Sequence, residues 1–386
     1  MFERWLKMPS RRSCLIVGPR RSGKTTLLKH RYPYWPYATL DDIDHLDWAK
    51  RDPKGFISHL GKQAIIDEIQ RHPLLTVAVK YAVDNLQARF LMTGSSTLGL
   101  LDATADSLAG RIDIISLPTA CWGEEDGGPT HSILRDQADP PHIKQAHRRL
   151  SKAMTYGQFP EVLIQDNNGD KYEILVNYRN TYFTRDLMQL SNIENLDGLL
   201  AVFHHLARSI GSNLEVSNFA REAGISHPTA KNYLNALQQA QLTFKLYGYQ
   251  FGPAKRYIKA AKTYFADNGI IHSLNAGVGM GQLTENFVLA ELEKRRKLGM
   301  IKADQFYYYK SAGGTEIDLV FEEEDTVYAV EIKSTRKPSP RDLRNLKQFK
   351  DRLDRPVQRY LVYMGDNYQT INNIQLVPAG ALFRGR

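Results

Sequence analysis

The chain has 386 residues, of which 42% are hydrophobic and 24% are charged. This length predicts two or three domains, and the composition excludes wholesale disorder and collagen-like or mucin-like chains. The net charge is +9, from 51 Lys and Arg against 42 Asp and Glu, and it is compatible with a polyanionic partner such as nucleic acid.

The sequence favours a protein of the reducing cytoplasm. No apolar run approaches the roughly 18 residues that span a bilayer, and the N-terminus lacks the apolar core of a signal peptide. The two cysteines, Cys14 and Cys121, provide neither a disulfide framework nor a C-x-x-C zinc pair. We therefore expect a cytoplasmic protein without a membrane partner.

The N-terminal third alternates between apolar strands and helices, which predicts a parallel α/β sheet. The predicted strands are Cys14–Gly18, Ala64–Ile69, Arg89–Ser96 and Arg111–Leu117, with a helix at Leu74–Val83. Residues 123–145, which include GEEDGGPT and ADPPH, are predicted to be loop. Residues 146–210 are predicted to be helical, with an interruption at Phe159-Pro160.

Strands return in the last third of the chain. FYYYK, TEIDLVF, VYAVEIK and RYLVYM are predicted strands, and they alternate with helices near residues 285–298 and 340–352. This pattern predicts a second α/β unit.

A glycine-rich loop carries the strongest chemical signal. GPRRSGKT, residues 18–25, matches G-x-x-x-x-G-K-[ST] at every fixed position, after an apolar strand and before a helix. Lys24 would reach the β- and γ-phosphates of ATP, and the hydroxyl of Thr25 would ligate Mg²⁺. The predicted nucleotide-binding residues are Gly18, Pro19, Arg20, Arg21, Ser22, Gly23, Lys24, Thr25 and Thr26.

Residues of later strands supply candidates for hydrolysis. Asp67 suits a Mg²⁺ ligand and Glu68 a general base, although the two acids also fit an exposed pair. Ser95 lies at the carboxyl end of the third predicted strand, where a polar group either orients the attacking water or simply belongs to a loop of small residues. Arg111 is either an arginine finger that reaches a neighbouring subunit or a surface arginine.

Residues 214–246 have the spacing of a winged helix-turn-helix. Ser217 and Ser226 are the predicted N-caps of its two helices, and Gly224 lies in the turn between them. If the second helix enters a DNA major groove, its exposed candidates are His227, Thr229, Lys231 and Asn232. The alternative is a protein-interaction module.

Two later segments place acids on shared strand faces. Glu316 and Asp318 alternate with apolar residues, and so do Glu331 and Lys333. If the strands form a hairpin, Asp318, Glu331 and Lys333 converge. An Asp followed by an acid-x-Lys strand is the pattern of PD-(D/E)xK nucleases, with Glu285 as an additional acid and Mg²⁺ as the metal. The alternatives are a solvated strand face and a DNA-binding shell without cleavage.

Together these segments resemble a prokaryotic family of AAA+-like P-loop ATPases with C-terminal winged-helix and PD-(D/E)xK-like domains. The resemblance rests on GPRRSGKT, LDD, IIDEIQ, FLMTGSS, SLAGR, FPEVL, YFTRDL, the helix-turn-helix, YFADNG, and EIDLVF with VEIK. The chain departs from the family at Arg21 and Ser22, where Gln and a small residue are usual, and at Gly157-Gln158, where a Gly pair is usual. The resemblance implies an AAA+-type ATPase and a homo-oligomer, for which a hexameric ring is one arrangement.

The predicted architecture is therefore α/β in four parts. Residues 1–145 form a P-loop AAA+-type ATPase core, 146–210 a helical lid, 211–250 a winged helix-turn-helix, and 255–386 a PD-(D/E)xK, restriction-endonuclease-like domain.

The leading functional hypothesis is a DNA-stimulated ATPase that uses ATP and Mg²⁺. It would act as a translocase or remodeller on duplex or branched DNA, such as intermediates of recombination, repair, replication or branch migration. The alternatives are an ATP-gated, Mg²⁺-dependent DNA nuclease in repair or defence, and an ATP-dependent protein-interaction switch.

Overall fold

The computed structural model describes residues 2–95, 110–187, 193, 195–250, 261–350, 353 and 355–386, with the backbone alone for 183–186. Two compact units are present: Arg4–Thr119 with Gln239–Gln241, and Met1–Glu3 with Ala120–Gln238 and Leu242–Arg386. We call them the first and second units. Among the helices of the described residues, none has the length and apolar character needed to cross a bilayer.

The first unit is built on a five-stranded sheet. Its strands are β1 (Ser13–Val17), β2 (Tyr37–Thr39), β3 (Gln63–Asp67), β4 (Arg89–Gly94) and β5 (Ile112–Ser116). They are ordered β2-β3-β4-β1-β5, and every pair is parallel. The four predicted strands and the parallel sheet are confirmed, while β2 was not predicted. Because the strands are parallel, their carboxyl ends meet at one edge.

Helices connect these strands and cover the sheet. They are α1 (Lys24–Arg31), α2 (Ile43–Arg51), α3 (Pro53–Leu60) and α4 (Leu75–Leu86). The carboxylate of Asp42 caps α2 by accepting from the backbone N–H groups of Asp44 and His45. All five residues of β1 are buried, as expected for a central strand with both faces covered.

The second unit begins with helices. They are α5 (Pro140–Tyr156), α6 (Pro160–Leu163), α7 (Asn168–Tyr178), a π-helix (Arg179–Leu187) and α8 (Leu196–Arg208). The prediction of loop through residue 145 is wrong, because α5 begins at Pro140. Proline is tolerated in the first turn of a helix, where its missing N–H leaves no intrahelical bond unmade.

Two short helices follow at the predicted helix-turn-helix. They are α9 (Val216–Glu222) and α10 (His227–Gln239). The hydroxyl of Ser226 accepts from the backbone N–H of Thr229 at 3.2 Å, which confirms the cap of the second helix. The predicted cap of the first is wrong, because Glu215 occupies the N-cap position and Ser217 lies inside α9.

An eight-stranded mixed sheet forms the rest of the second unit. Its strands are β6 (Thr243–Gly248), β7 (Lys262–Phe265), β8 (Tyr307–Lys310), β9 (Glu316–Glu323), β10 (Thr326–Lys333), β11 (Val357–Tyr363), β12 (Gln369–Ile371) and β13 (Ile374–Pro378). The order is β12-β13-β11-β10-β9-β8-β6-β7. The accompanying helices are α11 (Asn268–Leu274), α12 (Met280–Lys297) and α13 (Arg344–Lys350). β9 and β10 form the predicted antiparallel hairpin, with Val330 opposite Leu319.

A buried ion network ties α12 to other parts of the second unit. The ammonium of Lys294 lies 2.9 Å from Glu291 and 3.1 Å from Asp267. The guanidinium of Arg295 donates to Glu291 and to the backbone carbonyl of Gly385. Although burial favours the neutral acid, Lys294 and Arg295 hold the pKa of Glu291 below its ordinary value. Glu291 therefore serves as the shared counter-charge of two buried cations.

Replacing Glu291 with Gln should destabilise the second unit strongly. The change leaves Lys294 and Arg295 buried without their shared anion, and breaking a buried pair in this way costs about 3–5 kcal/mol. Denaturant unfolding monitored over the second-unit transition measures the loss. The control is Arg336→Gln, which removes an exposed pair with Asp366 and should cost less than about 1 kcal/mol.

Candidate nucleotide site

The glycine-rich loop joins β1 to α1 at the carboxyl edge of the first sheet. Its backbone bends through left-handed conformations at Arg21 (φ 61°) and Gly23 (φ 90°). Gly18 has a steric requirement, because a Cβ there would lie 2.1 Å from the carbonyl oxygen of Leu117. The sequence thus folds into a tight loop directly before α1, the position at which a helix N-terminus can bind phosphate.

Lys24 is buried at the base of this loop. Its ammonium donates to the carbonyls of Gly18 and Pro19, each at 3.0 Å. Burial lowers its pKa to about 8, although the carboxylates of Glu68 and Asp67 favour the charged form. An ammonium has three donors, so one remains for a phosphate oxygen.

The carboxylate of Asp67 is the meeting point of three hydroxyl groups. Thr25 Oγ1 lies 2.8 Å from Oδ1 and 3.0 Å from Oδ2. The hydroxyl of Thr93 donates to Oδ1, and that of Tyr37 donates to Oδ2 at 2.8 Å. The structure thus brings together Thr25 and Asp67, the two residues predicted to bind the nucleotide's magnesium.

Glu68 adopts a strained backbone conformation directly after β3, with φ 58° and ψ 43°. Its backbone N–H donates to the hydroxyl of Thr93 at 3.2 Å. The side-chain amide of Gln70 donates to the Glu68 carboxylate and, at 3.0 Å, to the hydroxyl of Ser95. Left-handed conformations in residues other than glycine cost energy and often occur at functional sites. The predicted base, Glu68, and the predicted polar sensor, Ser95, are therefore linked through Gln70.

The remaining predicted residues differ in exposure and in their position on the sheet. Pro19 is buried, Arg20 is half-buried, and Arg21 and Thr26 are exposed. Arg111 precedes β5 at the opposite, amino-terminal edge of the sheet and pairs with Asp84 at 2.8 Å. A five-residue strand spans roughly 16 Å, so Arg111 lies outside the nucleotide site of its own chain. Ser96 and the first residues of SLAGR lie outside the described residues.

The loop and its surroundings fit a polyphosphate with a hard cation. The hydroxyl of Ser22 and the amide oxygen of Gln70 are buried and have no hydrogen-bond partner among the described residues. The ammonium of Lys24, with two of its three donors on loop carbonyls, adds a further donor for a phosphate oxygen. Carboxylate and hydroxyl oxygens, such as those of Asp67 and Thr25, are the ligands that Mg²⁺ prefers.

Sequence reasoning missed two residues that shape this site. Tyr37 contacts Asp67 from the unpredicted strand β2. The buried guanidinium of Arg4 donates to the carbonyl of Ser22 at 2.6 Å and to that of Pro118 at 2.9 Å. The only sequence signal for Tyr37 was the tyrosine that opens the segment YATLDD. No local sequence pattern indicated Arg4.

The residues predicted to face a DNA groove lie on α10. His227, Lys231 and Asn232 are exposed, as a nucleic-acid contact requires. Thr229 is half-buried, and its hydroxyl lies 2.7 Å from that of Ser226, so it belongs to the helix cap.

A second polar cluster surrounds the β9–β10 hairpin. The carboxylate of Asp318 accepts from the backbone N–H of Ile332 at 2.8 Å, and Lys333 lies 2.7 Å from Oε1 of Glu331. The hydroxyl of Tyr264 donates to Glu285 at 2.7 Å. Lys262, buried on β7, pairs with Glu316.

Burial and mutual repulsion dominate the electrostatics of this cluster. Burial and the charge of Asp318 raise the pKa of both Glu285 and Glu331. Burial also raises the pKa of Asp318, against the opposing effects of Lys333 and Lys262. Oε2 of Glu331 is buried and unpartnered. Across the described part of the chain, no three His, Cys, Asp or Glu side chains are grouped so as to hold a metal ion.

Three family models match successive parts of the chain. One described as "AAA domain" matches residues 10–125. Two described as "Domain of unknown function", DUF8612 and DUF4143, match residues 147–282 and 280–382. The AAA match covers the glycine-rich loop and the parallel sheet, and it indicates a nucleotide-dependent ATPase domain.

Relatives occur in a bacterium and an archaeon. An uncharacterized protein of Mycobacterium tuberculosis is 28% identical over 337 residues, which cover 84% of this chain and 71% of the relative. An uncharacterized protein of Methanocaldococcus jannaschii is 26% identical over 379 residues, covering 92% of this chain and 83% of the relative.

Two solved structures have distant similarity to the chain. A signal transduction ATPase with numerous domains from Pyrococcus horikoshii is 10% identical, with a TM-score of 0.22 over 77% of this chain. The match spans 46% of that structure, less than half its length. Can2 from Sulfobacillus thermosulfidooxidans, in complex with cyclic tetra-adenylate, is 10% identical, with a TM-score of 0.22 over 96% of this chain and 97% of that chain.

The lowered pKa of Lys24 predicts a pH dependence of nucleotide affinity. Below pH 8 the lysine is protonated and attracts the phosphates. As the pH rises through about 8, it loses its charge and the affinity for ATP should fall, approaching tenfold per pH unit. The phosphates, with a second pKa of about 6, stay fully charged in this range. Calorimetric titration between pH 7 and 9.5 measures the change, and Lys24→Arg, which stays charged, should give a flat profile.

Proposed function

We propose that the chain is a Mg²⁺-dependent ATPase whose turnover is stimulated by duplex or branched DNA. The ATPase part of the proposal rests on the hydrogen bond between the Thr25 hydroxyl and the Asp67 carboxylate. Glu68 follows Asp67 directly, and its backbone N–H is bonded to Thr93. The match of residues 10–125 to an AAA domain supports the same activity.

The contacts of each residue at the nucleotide site indicate its role. Lys24 would donate its remaining N–H to a phosphate oxygen, and its positive charge would balance part of the phosphate charge. Asp67, fixed by hydroxyl donors, would hold Thr25 in the orientation that a metal ligand needs. Magnesium supplies charge neutralisation at the phosphates when bound. Glu68 would take the proton of the attacking water, with Gln70 controlling where its carboxylate points.

The DNA part of the proposal rests on charge and on the helix-turn-helix. The net charge of +9 favours a polyanion, and α10 exposes His227, Lys231 and Asn232 on one short helix. The chain would then use ATP turnover to move along or remodel DNA. Because Arg111 lies away from its own site, an arginine-finger role would require a homo-oligomer.

Steady-state ATP hydrolysis tests this proposal. We expect Mg²⁺-dependent turnover that is stimulated by at least one form of DNA: linear duplex, single strand or four-way junction. This stimulation should fall steeply as the salt concentration rises, because counterions compete for the phosphates. Lys24→Ala should abolish turnover. Glu68→Gln should keep nucleotide binding and lower kcat by about 10²–10⁴, the contribution of a general base.

The DNA contact has its own variant. Lys231→Gln should weaken DNA stimulation and reduce the salt slope by about 1, while the DNA-free rate is unchanged. The matched control is Lys7→Gln, an exposed lysine outside the helix-turn-helix. Turnover that no DNA form affects would contradict the DNA part and favour an ATP-dependent protein-interaction switch.

A second candidate activity, Mg²⁺-dependent DNA cleavage, is supported by the hairpin cluster. Asp318 and Glu331 lie on paired strands, Lys333 contacts Glu331, and one oxygen of Glu331 is unpartnered. Mg²⁺ commonly binds through only one or two carboxylates with several waters, so two acids of this hairpin would suffice. Glu285 would then act as a neighbouring acid.

Cleavage assays on radiolabelled duplex and single-stranded DNA, with Mg²⁺ or Mn²⁺, test this activity. Asp318→Asn should abolish cleavage and leave ATP hydrolysis intact, because it removes a carboxylate of the second unit alone. Glu323→Gln, on the same strand but outside the cluster, is the control. If the wild-type protein cuts no DNA with either metal, the nuclease candidate is wrong.

A further inference from the structure

Tyr37 lies on β2, the edge strand next to the strand that ends in Asp67. Its hydroxyl donates to Oδ2 of Asp67 at 2.8 Å, and its side chain is half-buried. The parallel pairing places Tyr37 opposite Ile65, two residues before Asp67, so the phenol points along the strand toward the carboxylate.

Donors from both neighbouring strands hold the Asp67 carboxylate. β3 lies between β2 and β4 in the sheet. Tyr37 of β2 donates to Oδ2, and Thr93 of β4 donates to Oδ1. The terminal torsion of an aspartate is broad and has no sharp preference of its own. The two flanking donors therefore fix the carboxylate plane, with both oxygens within 3.0 Å of Thr25.

The helix that carries Thr25 also supports the ring of Tyr37. The ammonium of Lys29 lies 3.7 Å from the centroid of that ring, at cation–π distance. Lys29 follows Thr25 by four residues on α1, so the two side chains lie on the same helix face. One helix face thus contacts both the carboxylate and the phenol that orients it.

We propose that Tyr37 is a positioning residue for the metal-bound nucleotide. It acts with Thr93 to orient the Asp67 carboxylate toward Thr25, and Lys29 steadies its ring. This inference rests on the proposed ATPase function, and it names the residue that adapts the site to a metal-bound rather than a metal-free nucleotide.

Tyr37→Phe tests the inference, because it removes the hydroxyl and keeps the ring on Lys29. The probe is a fluorescent, non-hydrolysable ATP analogue, titrated once in EDTA and once in Mg²⁺. In EDTA, we expect the affinity of the variant for the analogue to lie within about twofold of wild type. The increase in affinity that Mg²⁺ gives should be about tenfold smaller than in wild type, as for other residues that orient metal-site groups. Lys29→Gln should reduce the gain in the same direction by roughly threefold.

Tyr34→Phe is the matched control, since Tyr34 is 96% exposed and lies three residues away. A Tyr37→Phe protein with the wild-type gain from Mg²⁺ would overturn the inference. So would equal weakening in EDTA and Mg²⁺, which would mean that Tyr37 acts on the loop rather than at the metal. If the wild-type protein binds no analogue in either buffer, the ATPase proposal itself fails, an outcome distinct from these two.

Discussion

The buried carboxylate of Asp67 sets the constraint on which the first unit depends. A carboxylate removed from water is costly unless hydrogen-bond donors replace its hydration. Here the donors come from β2, β4 and α1, through Tyr37, Thr93 and Thr25. These elements can supply their hydroxyls together only if β3 lies between β2 and β4 and α1 begins next to the end of β3. The glycine-rich loop, which lies immediately before Thr25, is thereby held against the sheet edge.

The strain at Glu68 follows from the same constraint. β3 must end at Asp67, so the chain turns at once into the 3₁₀ helix Ile69–Arg71 and Glu68 takes a left-handed conformation. Its contacts with Thr93 and Gln70 offset part of that cost. The turn leaves the Glu68 carboxylate at the sheet edge, beside the residues that would hold the phosphates.

Local patterns predicted much of this molecule, and non-local contacts limited the rest. The spacing of GPRRSGKT determines its own loop, and the alternation of acids with apolar residues predicted strands β9 and β10, because strand periodicity is local. Tyr37 was missed because β2 has only three residues, too few for a periodic signal, and its role arises from pairing with β3. The start of α5 was missed because two prolines usually indicate a loop, although both are tolerated in a first turn.

The two acidic sites differ in how their charge is compensated, and this difference ranks the proposed activities. The hydrogen bonds described above for Asp67 come from neutral hydroxyl groups, while the ammonium of Lys24 interacts with its charge without a direct hydrogen bond in this structure. At the hairpin, Lys333 pairs with Glu331, and burial favours the protonated form of that acid. A divalent cation at the hairpin must compete with an ammonium hydrogen-bonded to Glu331 and with protons, whereas the hydrogen-bond partners of Asp67 are hydroxyl groups. This difference favours the proposed nucleotide-bound Mg²⁺ over a metal ion at the hairpin.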